Sequence, residues 1–463
     1  MVYNITLPGW VDEPDGRGTW DILSTCVLTI FLCCWTSVSP NVPASSDGAL
    51  KQFKRKFDLA CMTILGSEFI LMLALGQWSS ARRSVKKFHE EGHTQWTLKH
   101  AFFADMGGFL VEPPDVDEYP SFPIDAEQLF HLIKEDIVEY PAITEDEIED
   151  KSKSDGLSRS VSSQNGMDST NIHRLITVAQ ALWFVVNCIF RWAQGIFVTT
   201  LELTTLAFIL ISLVTSLCWY HKPMDVGSAV TIKLRVPVDE IRSRKGAPEK
   251  WYQTPLDFLS RDECFLSVLW HYYTQILHNM RIPLFTRPTR RPYDYIPSHD
   301  FVNIDVLSEV VCAPTIILFS CLFIVAWNSE FPSPTEHLLW RIASISMLVF
   351  GLIGGLFSVY LHHVVFGKER KQAREKGLPT ASIQQEIPKQ GFLHQIASRL
   401  RNIDPEGDPQ LDVPIRVLIP LSSLCAMYVV ARLYILVEDF IGLRHLPKSA
   451  FQTVEWADYV PYL

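Results

Sequence analysis

Long tracts nearly empty of charge set the first limit on what this chain can fold into. Six runs reach the roughly 20-residue length needed to cross hydrocarbon, at about 20–38, 173–191, 198–220, 309–327, 338–361 and 414–436. Hydrocarbon offers no water to backbone amides, so such runs are confined to helices whose hydrogen bonds close within the segment. A seventh tract, 59–78 ("LACMTILGSEFILMLALGQW"), is apolar but carries Glu68 in its middle. The expected fold class is all-α: a polytopic helical membrane protein with six to seven transmembrane helices and two large cytoplasmic segments.

Charge is as unevenly placed as apolarity. The net charge of −10 is local, since residues 105–155 hold 16 acidic side chains against 3 basic ones. One acidic segment and no basic face exclude nucleic-acid binding as the expected role. Nine of the ten cysteines sit in or beside apolar tracts, where cysteine behaves as a small hydrophobe, and no CxxC pair exists. Neither a disulfide framework nor a metal centre is expected. The first basic residue, Arg17, stands just before the first apolar run, so that run reads as a retained anchor and not as a cleaved signal.

Basic clusters orient the helices, because cytoplasmic loops carry the excess of Lys and Arg. They occur at Lys51, Lys54, Arg55 and Lys56; at Arg82, Arg83, Lys86 and Lys87; at Lys222, Lys233 and Arg235; and at Lys368, Arg370, Lys371 and Arg374. All fall on one side if 59–78 dips into the membrane and returns. If it spans, the first two clusters fall on opposite sides. The preferred organisation is an N-terminal luminal or extracellular segment (1–19), a spanning helix (20–38) and an interfacial or transmembrane helix (59–78). An acidic cytoplasmic segment (79–172) and a spanning hairpin (173–220) follow. Next come a second cytoplasmic segment with an amphipathic interfacial helix (221–308) and a second hairpin (309–361). A basic loop (362–413), a last spanning helix (414–436) and a C-terminal tail (437–463) complete the chain. Asn4 heads a glycosylation sequon that would then face the lumen.

Within the cytoplasmic segments, Pro113, Pro114, Pro120 and Pro123 predict extended chain, followed by a helix at about 125–138. Thr144-Glu145-Asp146-Glu147 reads as a capping box, and "SRSVSSQNGMDS" as a polar run. Trp270, Tyr272 and Tyr273 suit a helix at headgroup level.

The chemistry-bearing residues lie inside the apolar tracts. His173, Gln180, Asn187 and Gln194 recur every seven residues, with Arg191 four after Asn187, so they share one helix face. A polar stripe cannot face lipid and must meet other helices or a cavity. Glu202 opens the next tract and reaches the level of Arg191 if the two helices form a hairpin. Two readings stand: a structural ion pair, or a ligand, proton or ion site. Arg432 is deep in the last tract and needs an acceptor, with Glu202, Glu68 and Glu438 as the available acids. Glu438 and Asp439, near the helix end, are expected in solvent. Gly351 and Gly355 form a GxxxG pair that lets two helices approach closely. His271 and His278 share a helix face without the HExxH acid, and no Walker, GxSxG, Rossmann or DDxxD pattern occurs.

"WVDEPDGRGTWDIL", "DEIEDKSKSD", "LCWYHKPMDV", "AWNSEFPSPTEHLLWRIAS" and "YILVEDFIGLRHLPKSAFQTVEWADYVP" run from residue 10 to residue 461. In this order they resemble a large family of uncharacterised fungal multi-pass integral membrane proteins. The resemblance implies membrane architecture and, having no assigned catalytic residues, adds none here.

The expected role is a non-enzymatic sensor, scaffold or transporter in the plasma membrane or another secretory-pathway membrane, with no cofactor. Its partners would be the bilayer, a small-molecule ligand of unknown identity, and proteins meeting segments 79–172 and 221–308. The alternative is a membrane-embedded enzyme on a lipid-like or isoprenoid substrate of secondary metabolism, with Glu202 as its buried acid.

Overall fold

A computed structural model describes residues 6–12, 16–115, 119–153, 169–261, 264–282, 285, 287–288, 290–360 and 415–456. Asn4, the stretch 158–168, the basic loop 362–413 and the side chain of His173 lie outside that description. The chain runs β1 (Thr6–Pro8), α1 (Thr19–Ser37), α2 (Ala49–Leu65), α3 (Ser67–Glu90), α4 (Leu98–Asp105), β2 (Phe109–Glu112), β3 (Phe122–Ile124), α5 (Ala126–Lys134) and α6 (Glu145–Lys153). It continues through α7 (Ser169–Ala193), α8 (Thr200–Cys218), β4 (Val230–Lys233), α9 (Val238–Arg244), α10 (Phe265–Asn279), α11 (Val306–Val325), α12 (Pro334–Tyr360), α13 (Ile415–Ile441) and β5 (His445–Pro447).

Among the described residues, six helices are long and apolar enough to cross a membrane: α1, α7, α8, α11, α12 and α13. Helix α8 is their hub, with 61% of its apolar window buried against 22–33% for the others. It packs on α1, α3, α7, α11 and α13, while α12 lies outside against α11 and α13. The outer helices leave Phe31, Leu182, Ile189, Leu338, Ile342 and Val430 exposed. Apolar surface of that extent is far more than a water-soluble monomer presents.

Two expectations need correction. The tract 59–78 is not one helix: α2 and α3 meet at Gly66 with a bend of 118°. A Cβ at Gly66 would collide with the Phe69 ring and lie 2.9 Å from the Tyr428 hydroxyl, so the turn needs glycine for space. The fold is also mostly helical rather than all-α. Strands β3, β2 and β4 form a small sheet, with β2 antiparallel to β3 and parallel to β4, and β1 pairs antiparallel with β5. These strands have three or four residues, too few to display an alternating pattern.

Contacts sort the molecule into two ends. At one, β1 meets β5, Arg17 reaches Glu202, Gln194 meets Glu455 and Arg444 pairs with Glu336. Both ends of the described chain and both hairpin links therefore gather there. At the other, Lys222 donates to Ser39 O and Gln77 Oε1, each at 2.9 Å, and Lys56 pairs with Asp225 at 3.0 Å. Helices α2 and α3 thus enter and leave at this second end. The bend between them reaches Tyr428, near the middle of α13.

The sheet and helices α4–α6 and α9 form a layer at the second end, continuous with the core of the helices. Helix α3 runs from the bundle into this layer, where Phe88 stacks on Trp96 at 4.2 Å and the Trp96 indole donates to Ser84. The expected capping box opens α6: Glu147 N donates to Thr144 Oγ1, and Thr144 N to Glu147 Oε2.

Candidate functional site

The polar stripe of α7 meets protein at each described position where it makes a bond. Gln180 Nε2 donates to Thr29 Oγ1 of α1 at 3.4 Å, and Asn187 is half-buried. Arg191, 3% exposed, donates to three carbonyl oxygens: Gln452 at 2.7 Å, Phe197 at 2.8 Å and Ala450 at 2.9 Å. Gln194 exchanges bonds with the backbone of Glu455 at 3.1 and 3.2 Å. The segment after β5 folds back under the α7–α8 link, and Trp456 stacks on Trp183.

Glu202 is the anionic centre of the same cluster. Its Oε2 accepts from Thr199 N at 2.8 Å and Thr199 Oγ1 at 3.0 Å, the capping box of α8. Its Oε1 accepts from Arg17 at 2.5 Å, with Arg191 Nε 3.9 Å away. Glu202 is thus held by donors on both oxygens. Sequence reasoning paired it with Arg191 but missed Arg17, which stands in a polar segment with no periodicity, and missed the carbonyls of the tail, which leave no side-chain signal.

A second group of charges runs along α13. Arg432, 1% exposed, lies over the rings of Phe208, Phe319 and Phe323 at 5.0, 5.5 and 5.7 Å. None of its guanidinium nitrogens has a hydrogen-bond partner among the described residues. Four residues before it, Tyr428 contacts Glu68 and places its hydroxyl 3.4 Å from Leu65 O. Seven residues after it, on the same face, Asp439 lies beside the hydroxyls of Thr200 and Thr204 and feels the Arg432 charge. Glu438 is reached by the Tyr434 hydroxyl at 3.2 Å, beside the exposed Arg444–Glu336 pair. From Tyr428 to Asp439 the column covers about 16 Å of helix. Asp439 and Glu438 are 1% and 3% exposed, which corrects the expectation of solvated acids: α13 runs to Ile441, past the expected end at 436, and carries both inside.

The GxxxG pair divides. A Cβ at Gly351 would stand 2.8 Å from Ile316 of α11, whereas Gly355 has nothing described within 4 Å. Among the described residues, close helix packing therefore uses the first glycine.

A third group joins residues that the sequence kept apart. His271 of α10 places Nε2 2.6 Å from Asp300 Oδ1, in the loop that feeds α11. The His299 ring lies 5.2 Å from the His271 ring, and burial holds its imidazole neutral down to about pH 3, with the His271 charge adding to the effect. Helix α10 itself is held by protein: Trp270 packs on Phe69, Phe285 and Phe301, and the Tyr273 hydroxyl is 2.6 Å from Ser422 Oγ.

No curated protein and no solved structure matches the chain. A model for a family of unknown function matches residues 4–241 and 411–463, which include Arg17, Arg191, Glu202, Arg432 and Asp439. These two segments make up well over half of the sequence, and the chain belongs to that family, DUF8562.

Proposed function

We propose that this is a multi-pass integral membrane protein of the plasma membrane or another secretory-pathway membrane, and that it transports a small acidic solute. Six helices cross, and α2–α3 enters from the cytoplasmic side and returns. The sheet layer and α10 are cytoplasmic; the hairpin links, β1 and β5 face outward. Support for this orientation comes from Lys56, Arg82, Lys87 and Arg235, which all engage the second end.

The observation that carries the transport reading is the Arg432 guanidinium, buried among three aromatic rings without a hydrogen-bonding acceptor among the described residues. A charge held in that way is costly, and ionisable groups inside a bundle mark solute and proton pathways. Arg432 would meet the anionic group of the solute, with Glu68 and Asp439 at either side of it along the column. Glu202, held by donors on both oxygens, is suited to a fixed charge, which favours this reading over the enzymatic alternative.

The test is a metabolite profile of cells lacking the gene, with cells and medium extracted separately. A compound retained by deletion cells, released again on complementation by the wild type but not by Arg432→Met, is expected. A lost product with an accumulated precursor would replace transport by catalysis. Unchanged profiles in both fractions would remove the small-molecule role. Modification at Asn4, read as a mobility shift after endoglycosidase treatment, checks the outward placement of the N-terminal segment.

A further inference from the structure

His271, His299 and Asp300 belong to neither charge cluster on which the transport reading rests. Each offers one ligand atom, and the three atoms lie within 4.8 Å of one another. A tetrahedral zinc site holds its ligand atoms about 3.4 Å apart, given metal–ligand bonds near 2.1 Å. Small side-chain rotations bridge the two geometries. His271 and His299 are 7% and 6% exposed. The decisive feature is His299 Nε2, which is buried and has no hydrogen-bond partner among the described residues. A buried imidazole nitrogen without a partner loses solvation and recovers nothing, unless another group completes it.

We propose that His271, His299 and Asp300 bind one divalent transition-metal ion, zinc foremost. Two imidazoles and one carboxylate form a borderline-soft set that suits zinc better than calcium or magnesium, which take all-oxygen shells. The ion's fourth position would be taken by water, reached past Asp300, whose side chain is 19% exposed. Arg287 now contributes a cation 3.4 Å from Asp300 Oδ1, and the metal replaces it there. The site ties α10 to the loop feeding α11. Since Trp270 of α10 touches Phe69 just past the Gly66 bend, the metal also fixes α10 against α3. Nothing in the sequence announces this set, because His271 and Asp300 are 29 residues apart and flank an irregular segment.

The experiment uses the full chain, purified in detergent without a polyhistidine tag, stripped with chelator and titrated with Co²⁺. One equivalent of Co²⁺ giving the visible bands of a tetrahedral nitrogen–oxygen site, displaced by Zn²⁺, is the expected result. His299→Gln weakens the binding by more than about tenfold. Arg287→Gln strengthens it, an effect that a purely structural hydrogen-bond cluster would not produce. Asp300→Asn serves where His299→Gln fails to fold: it keeps a hydrogen bond to His271 while removing the anionic ligand, and it too weakens binding. Absence of the bands overturns the proposal. So does Co²⁺ binding that both ligand variants leave unchanged, since the ion would then sit elsewhere.

Discussion

The two buried charge groups stand close together on the α7–α8–α13 side of the bundle and are built on opposite terms. Around Glu202, Arg17 supplies an ion pair, Thr199 donates to the carboxylate, and the terminal nitrogens of Arg191 are engaged by two tail carbonyls and that of Phe197. Around Arg432 there are aromatic faces and a carboxylate acting through space, but no hydrogen bond among the described residues. Burying a charge is expensive in either place, and only the first group compensates it locally. The first group therefore reads as structure, closing the first end of the bundle over β1 and β5. The second reads as a site, because its guanidinium is buried against aromatic rings with no hydrogen-bond partner among the described residues.

Breaking the first group should cost the most. Arg191→Met leaves Glu202 with less counter-charge and strands two tail carbonyls and that of Phe197, and breaking a buried pair by removing one partner typically costs about 3–5 kcal/mol. Thermal melting in detergent should fall accordingly, with the segment after β5 becoming open to protease. A stable variant with a protected tail would show that the outer cluster is ornamental and would erase the contrast.

Gly66→Val addresses the inner foot of the column. The added side chain meets Phe69 and the Tyr428 hydroxyl, and overpacking of this kind costs about 1–3 kcal/mol. Tyr428 would be displaced from the bend, so transport should suffer beyond the stability loss. Equal damage to both readouts would separate the bend from the site.

Arg432→Met sharpens the comparison from the other side. Three cation–π contacts are lost and one desolvated charge is relieved, so stability should move by no more than about 2 kcal/mol in either direction. Solute release should nevertheless be abolished. A destabilisation as large as that of Arg191→Met, read in the same melting assay, would mean that Arg432 is structural too.

The sequence made the apolar helices legible because twenty residues without charge leave no alternative. The stripe from Gln180 to Gln194 was legible because a seven-residue spacing survives any packing arrangement. What it hid was tertiary. Arg17 lies 185 residues from Glu202, and Arg191 is satisfied by backbone oxygens that any residue would supply. The α2–α3 bend hangs on one glycine whose role is set by Tyr428, which is 363 residues from the Leu65 carbonyl it meets. Asp439 looked solvated because α13 was expected to end before it, and its burial depends on Thr200 and Thr204 of α8.

The smallest effect belongs to the sheet layer, where a pair of acids sets the standard against which the other two groups can be gauged. Burial raises the Asp125 carboxyl from 3.8 to about 7, with repulsion from Asp105 adding to it, and burial raises Asp105 to about 6. The folded layer therefore keeps protons that the unfolded chain releases near pH 4. Its stability is fully present below that pH and falls as pH rises through 6 and 7, by at most about 1.4 kcal/mol per pH unit for each proton retained. Asp125 also caps α5, its Oδ1 accepting from Gln128 N at 2.7 Å, and asparagine caps equally well. Asp125→Asn should therefore flatten the decline between pH 5 and 7 and stabilise the layer at neutral pH. Melting curves across that range check it, and a slope unchanged by the substitution would mean that the two carboxyls share no proton.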